Sequence, residues 1–284
     1  MIIDIDGGKI HYETSEDILT TKKPILFVLP GGPGGDHSIY KAHSIELEES
    51  FCIVYHDPRG CGNSSDFDLS SATMENYIND IESLREHLGL NKISILGTSY
   101  GSMCAIGYAI QYQENLDNLI LVGGSPSFRF LETAKINLNK RGTPEQKKIC
   151  EYLWKGKFKD DAHVRDFMRI MRPLYSVTTP SSNTPTKAPT FSYEVLNLGF
   201  GDFLQKFDFE SDLSKITCKT LIMVGESDWI NDPVHLKNFA GKTHSTQLNI
   251  LENCGHFVAI DRHKEYLKLI KEFIFSDDSI KTNT

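Results

Sequence analysis

The stretch KISILGTSYGSMCAIGYAI, Lys92 to Ile110, constrains the chain most. An apolar run rich in Ile and Leu leads directly into Gly97-Thr98-Ser99-Tyr100-Gly101, and a segment of small residues follows. The run reads as a strand covered on both faces, which is the habit of a parallel sheet. The small residues after it read as a helix packed closely on that sheet. A sharp strand-to-helix turn crowds its central residue and forces it into strained dihedrals; flanking glycines relieve that crowding. Ser99 is then held up at the head of a helix, whose main-chain N–H groups can meet a developing negative charge. G-x-S-x-G in this context marks a nucleophile, with a solvated serine in a glycine turn as the plainer alternative.

The remaining pattern agrees with such a sheet. Near-continuous apolar runs at Pro24 to Leu29 and Phe51 to His56 read as buried strands, and Lys9 to Thr14 alternates like a partly exposed one. LDNLILVGG, KTLIMVGE and TQLNILENCGH supply three more. Between them, Met74, Tyr77, Ile78, Ile81, Leu84 and Leu88 form one helical stripe, with Thr73 as its N-cap and Gly89 as its stop. KEYLKLIKEFIF closes the pattern as an amphipathic helix. Strands alternating with helices predict an α/β class with a mostly parallel sheet. Residues 125–213 break the rhythm, and the strands resume after them. We therefore expect a core of residues 1–124 and 214–284, interrupted by a mainly helical cap over 125–213. The Pro/Ser/Thr-rich run Thr178 to Thr190 is expected to be a mobile loop that gates entry.

Composition excludes several classes. A net charge of −8 over 284 residues argues against nucleic acid and anionic membrane partners. No apolar run approaches the ~20 residues that span a bilayer. The six cysteines show neither a C-x-x-C pair nor metal-ligand spacing, and the acidic start MIIDID does not resemble a secretory leader. These features predict a cytoplasmic protein without metal or cofactor.

A serine hydroxyl needs a base, and the base needs an orienting acid. In an elbow fold the acid and then the histidine follow in loops after later strands. LIMVGESDWIND offers Glu226, Asp228 and Asp232; Asp228 is preferred, because Glu226 is too near the strand end and Asp232 before Pro233 suits a helix cap. His256 in LENCGHF is the base, placed after the last strand with Gly255 beside it. Pro30-Gly31-Gly32-Pro33-Gly34 follows a strand and reads as a backbone-shaped loop. Its Gly32 N–H, with the N–H of Tyr100, would form an oxyanion hole.

With these motifs in order, the chain resembles the α/β-hydrolases and, more narrowly, the proline iminopeptidase family of serine aminopeptidases. That family's H-G-G-P-G loop appears here as Pro30 to Gly34, and its D-Q-R-G-x-G-x-S as Asp57 to Ser64. The elbow falls at Gly97 to Ser102, the acid at Asp228 and the Gly-His pair at Gly255-His256. Pro30 stands where the family has histidine, and Pro58 where it has glutamine. The family holds a substrate's free amine with glutamates from the cap and from near the acid. Here Trp229 follows Asp228, so the cap must supply the carboxylate: Glu194 first, then Asp202 and Asp208. Gly31, Glu194 and Trp229 are the expected substrate contacts. Asp57 and Arg59 read as a scaffold pair, with Arg59 bonding carbonyls that shape the glycine loop. Cys254, two residues before His256, is expected to make the enzyme sensitive to bulky thiol reagents.

The resemblance implies a serine hydrolase that releases an N-terminal proline or small apolar residue from short peptides. The rival is an esterase or lactonase acting on small apolar esters with the same triad; Phe191, Tyr193, Phe200, Phe203 and Trp229 would line its pocket. A non-catalytic small-molecule receptor is a third possibility, disfavoured by the intact Ser, Asp and His.

Overall fold

The computed structural model describes residues 1–64, 66–178 and 191–276. The run expected to gate entry falls, apart from Thr178, outside them. Eight strands form one sheet: β1 Ile2–Ile5, β2 Gly8–Thr14, β3 Ile25–Leu29, β4 Cys52–His56, β5 Ile93–Thr98, β6 Leu116–Val122, β7 Lys219–Gly225 and β8 Thr246–Leu251. Their order across the sheet is β1-β2-β4-β3-β5-β6-β7-β8. The first two strands run antiparallel, with Ile3 opposite Ile10 and Tyr12 opposite His56; the other six are parallel.

Ten α-helices occur among the described residues. They are α1 Ser38–Ser44, α2 Met74–His87, α3 Tyr100–Gln111, α4 Phe130–Arg141, α5 Pro144–Lys155, α6 Asp161–Tyr175, α7 Tyr193–Gly201, α8 Pro233–Ala240, α9 Val258–Asp261 and α10 His263–Phe275. The Thr73 side chain accepts from the Asn76 N–H at the start of α2, and Asp232 caps α8 by accepting from Val234. Both are the capping roles their positions predict. Gly89 takes a φ of 65° just past α2, where a side chain would be strained.

Period-two geometry sorts the strand residues between two apolar layers. Phe27 and Leu29 of β3, Ile93 and Ile95 of β5, and Leu119 and Leu121 of β6 face α2 and α3. Leu26, Val28, Leu96, Ile120 and Val122 face the opposite way, onto Tyr266, Leu267, Ile270 and Phe273 of α10. Burial on both faces explains the unbroken apolar runs of these strands. Helices α4 to α7 all lie in the chain between β6 and β7, and their apolar sides join the first of these layers through Leu138, Leu153, Phe167, Met171 and Leu196.

β1 has no counterpart in the sequence reading. It is four residues long, and only Ile3 of it is buried, so it shows too few turns of alternation to be recognised.

Candidate active site

The parallel strands deliver the loops after β3, β5, β6, β7 and β8 to one edge of the sheet, their carboxyl ends, where open α/β sheets bind ligands. Ser99 sits at the β5–α3 junction with φ 53° and ψ −115°, one of two non-glycine residues at positive φ among the described residues. Its main-chain N–H donates to Val122 O at 2.7 Å, which ties the elbow to β6. Ser102, one turn on, locks the same junction: its hydroxyl donates to Gly97 O at 2.6 Å and accepts from Val122 N–H at 3.0 Å. A side chain on Gly101 would begin 2.3 Å from Leu29 O, so the glycine lets α3 approach the loop after β3.

His256 lies in the loop after β8. Its Nε2 is 3.0 Å from Ser99 Oγ and its Nδ1 2.8 Å from Asp228 Oδ2. Asp228 and His256 are both buried. The other Asp228 oxygen accepts from the main-chain N–H groups of Ile230 at 2.8 Å and Asn231 at 3.0 Å. A carboxylate held by two main-chain donors is fixed in orientation, and it fixes the His256 ring in turn through Nδ1. Nε2 is left facing Ser99 Oγ. The acid and base loops are themselves stitched together, Ser227 N–H donating to Cys254 O at 2.9 Å and Glu226 N–H to Leu251 O at 2.9 Å.

The loop after β3 closes the other side of Ser99. A side chain built on Gly31 would begin 3.1 Å from Ser99 Cβ. Gly32 has φ 137°, a value that side chains rarely adopt. The Tyr100 N–H opens α3 directly behind the serine. Ser99, His256, Asp228 and a glycine loop beside the head of a helix thus meet at one edge of the sheet. Such a set can exchange a proton between an alcohol and an imidazole next to main-chain donors.

A family profile described as the α/β-hydrolase fold matches residues 24–263. The chain is 31% identical to the proline iminopeptidase PfmaB of Pestalotiopsis fici, over 96% of this chain and 98% of that protein. It is 30% identical to a proline iminopeptidase of Lactobacillus helveticus, over 97% and 100% of the two chains.

The chain belongs to the α/β-hydrolases, in their proline iminopeptidase-like family.

Solved α/β-hydrolases share the fold. The proline iminopeptidase of Mycobacterium smegmatis superposes with a TM-score of 0.73 at 17% identity, covering 96% of this chain and 97% of that one. VinJ superposes with a TM-score of 0.77 at 18% identity, with the same coverage. This α/β-hydrolase is an enzyme, and its class is hydrolase.

Several expected contacts fall elsewhere than the sequence suggested. Glu194 is exposed in the first turn of α7, with its charge against the Tyr193 hydroxyl, so it is not a shielded carboxylate. Asp208 pairs with Arg129 at 2.7 Å, and Asp202 with Lys206. Glu194 lies in a nine-residue helix, too short for its periodicity to show which way the acid turns. Trp229 is completely buried. It belongs to an aromatic wall in which Tyr175 stands 5.4 Å from Trp229 and 5.6 Å from His256, and Trp154 reaches both Trp229 and Phe200.

Arg59 does not bond the glycine loop. Its guanidinium is buried and takes a two-pronged contact with Asp80 on α2, at 2.6 and 2.8 Å, plus the Ser71 hydroxyl. A buried guanidinium needs a carboxylate more than it needs carbonyls. Asp57 pairs instead with His37, immediately after the glycine loop: Nδ1 donates at 2.6 Å and the His37 main-chain N–H at 3.0 Å. Cys254 is fully buried and burial pushes its thiol up to about 12, so thiol reagents have neither access nor a thiolate there.

His11, His37 and Asp57 come within 4.8 Å of one another, a gathering that their separation in sequence hides. It is a hydrogen-bonded brace rather than an ion cradle. Ligands of one zinc ion stand about 3.3 Å apart, whereas His37 and Asp57 share a proton at 2.6 Å. Both Asp57 oxygens also already accept main-chain N–H groups, from His37 and Asn63.

The sequence reading also passed over Gly123, Asn231 and Asp261. A side chain on Gly123 would begin 3.3 Å from the His256 ring and 3.4 Å from Asp228 Oδ2. Asn231 donates from its side chain to Gly123 O at 2.6 Å. Asp261 accepts from Gly255 N–H at 2.8 Å, and from the Ser176 hydroxyl and Val177 N–H at the end of α6. The repeated glycine of LVGG after β6 was the available signal for the first. The other two act through main-chain contacts that leave no motif.

Proposed function

We propose that this chain is a serine hydrolase that releases an N-terminal proline or small apolar residue from short peptides through an acyl-enzyme. His256 takes the Ser99 proton as the oxygen attacks the carbonyl. Asp228 holds the imidazole and stabilises its cationic form. The Tyr100 and Gly32 N–H groups receive the oxyanion. The protonated imidazole then donates to the leaving amine, and water, activated by the same base, releases the acyl group. Residues 125–213 act as a cap that limits the length of chain admitted. The observation that carries the reading is the continuous Ser99–His256–Asp228 contact at a strained elbow. The proline iminopeptidase names of relatives matched along nearly their whole length support the peptidase assignment. Six free cysteines suit a cytoplasmic setting.

The second reading is an esterase or lactonase acting on small apolar esters. It is favoured by the fate of the cap carboxylates: Glu194 is exposed, and Asp202 and Asp208 are ion-paired. Residues 179–190 contain no acidic residue by sequence. A free amine needs a shielded carboxylate to offset its desolvation, and an aromatic wall offers an uncharged acyl group a better fit.

One panel separates the readings. Prolyl and alanyl p-nitroanilides are compared with acetyl and butyryl p-nitrophenyl esters, after background subtraction with Ser99→Ala. Higher kcat/KM on the aminoacyl compounds supports the peptidase. Turnover confined to amine-free esters replaces it with the esterase. Full activity of Ser99→Ala on both overturns the triad itself.

A further inference from the structure

Tyr40 lies in α1, one helix on from the loop that carries Gly31 and Gly32. Its ring packs on the apolar layer shared with α10. Its hydroxyl, however, reaches the carboxyl edge of the sheet. The point where a side chain on Gly31 would begin lies 2.6 Å from Tyr40 Oη and 3.1 Å from Ser99 Cβ. The phenol oxygen and the nucleophile therefore flank one small space. Both residues are partly accessible, unlike the sealed Asp228 and His256.

Its hydrogen-bonding inventory points the same way. The Gly31 main chain lies directly beside the Tyr40 oxygen. A phenol also has a proton to give. Among the described residues no acceptor takes that proton within hydrogen-bond geometry. Burial pushes this hydroxyl up to about 12, so it remains a neutral donor at any working pH.

We propose that the Tyr40 hydroxyl is a third oxyanion donor, giving its proton's hydrogen bond to the carbonyl oxygen of the substrate as Ser99 attacks. The inference rests on the acyl-enzyme reading above and extends it. The phenol also packs against Gly31, in the loop whose next N–H, that of Gly32, serves the same oxyanion. No covalent step is added. The hydroxyl keeps its proton throughout and only the electron-rich oxygen changes partner.

The test is Tyr40→Phe, which removes one oxygen and keeps the packed ring. Removing one oxyanion donor costs on the order of 100-fold in kcat. We expect kcat on the best p-nitrophenyl or p-nitroanilide substrate to fall about 30- to 100-fold, with KM changed less than threefold. Affinity for an alkyl boronic acid, which forms a tetrahedral adduct on Ser99, should fall by a similar factor. Melting temperature and the shape of the pH–rate profile should stay as in the parent enzyme. Unchanged kcat and boronate affinity in Tyr40→Phe, alongside an inactive Ser99→Ala, overturn the role of Tyr40 alone. A fall in kcat with undiminished boronate affinity overturns it as well, because the hydroxyl then acts on something other than the tetrahedral oxygen. Activity persisting in Ser99→Ala overturns both this proposal and the reading beneath it.

Discussion

Ser99 has an ordinary alcohol whose reactivity comes entirely from what surrounds it. Replacing it with alanine should lower kcat by about 10⁴ or more and abolish labelling by a fluorophosphonate, since members of such a triad act as a unit. Asp57 makes a different kind of prediction. Burial alone would raise its carboxyl, but the His37 ring, the His37 N–H and the Asn63 N–H outweigh burial and bring it from 3.8 down to about 2. For His37, burial alone would lower the imidazole; the hydrogen bond and charge of Asp57 outweigh that and raise it above 6.5. The carboxylate's contribution is present above its unfolded value and lost as pH falls through about 2. The imidazolium's is present below 6.5 and lost as pH rises through its elevated value. The pair is therefore worth most between roughly pH 4 and 6.5. Urea unfolding of the parent should lose more than His37→Gln between pH 4 and pH 2, by at most about 2 kcal/mol, because the main-chain donors of His37 and Asn63 stay in the variant. Parallel curves would show that the brace adds nothing. Glu194→Gln, at an exposed position, should change kcat/KM on prolyl substrates less than twofold and stability by less than about 0.5 kcal/mol. A tenfold loss on prolyl substrates would restore it as the amine anchor.

At the scale of the element, the β5–α3 junction is set by close approach as much as by its serine. A methyl at position 101 would begin 2.3 Å from Leu29 O and 2.7 Å from Pro30 O, both main-chain atoms that cannot rotate aside. Gly101→Ala should cost about 3 kcal/mol or more, seen as a fall of several degrees in melting temperature, and it should displace the loop that carries Gly31 and Gly32. An unperturbed melt would mean the junction is looser than these distances. This junction was readable in the sequence because sterics demand glycine there and chemistry demands serine between, which leaves a motif. The same holds for Gly255-His256 and for Asp228 after the apolar run of β7. Strand β1 left almost no periodic trace, since Ile2 is exposed and only Ile3 is buried. The partner of Arg59 was equally hidden: Asp80 lies on α2 in the polar part of a pattern dominated by its apolar stripe, and only the fold brings the two charges together. Main-chain contacts such as those of Asn231 and Asp261 are invisible in principle, because any residue offers the C=O or N–H they bind.

For the molecule as a whole, the catalytic edge of the sheet and the helices between β6 and β7 are one packed body. Tyr175 stacks on Phe257 at 4.9 Å and meets both His256 and Trp229, while its main-chain oxygen accepts from Phe257 N–H at 3.0 Å. Tyr175→Ala should therefore destabilise the fold by about 3–5 kcal/mol, as for a large buried aromatic, and lower kcat well beyond what stability explains at a temperature where the variant is still folded. Asp261→Asn should keep most of the packing yet lower kcat about tenfold, because a small misplacement of a catalytic group is costly. The carboxylate of Asp261 grips the end of α6 with both oxygens, and one of them, Oδ2, also accepts from the N–H of Gly255, the neighbour of His256. One acidic side chain is thus the rivet between the far end of α6 and the peptide that presents the imidazole, so a displacement of either is transmitted to the other.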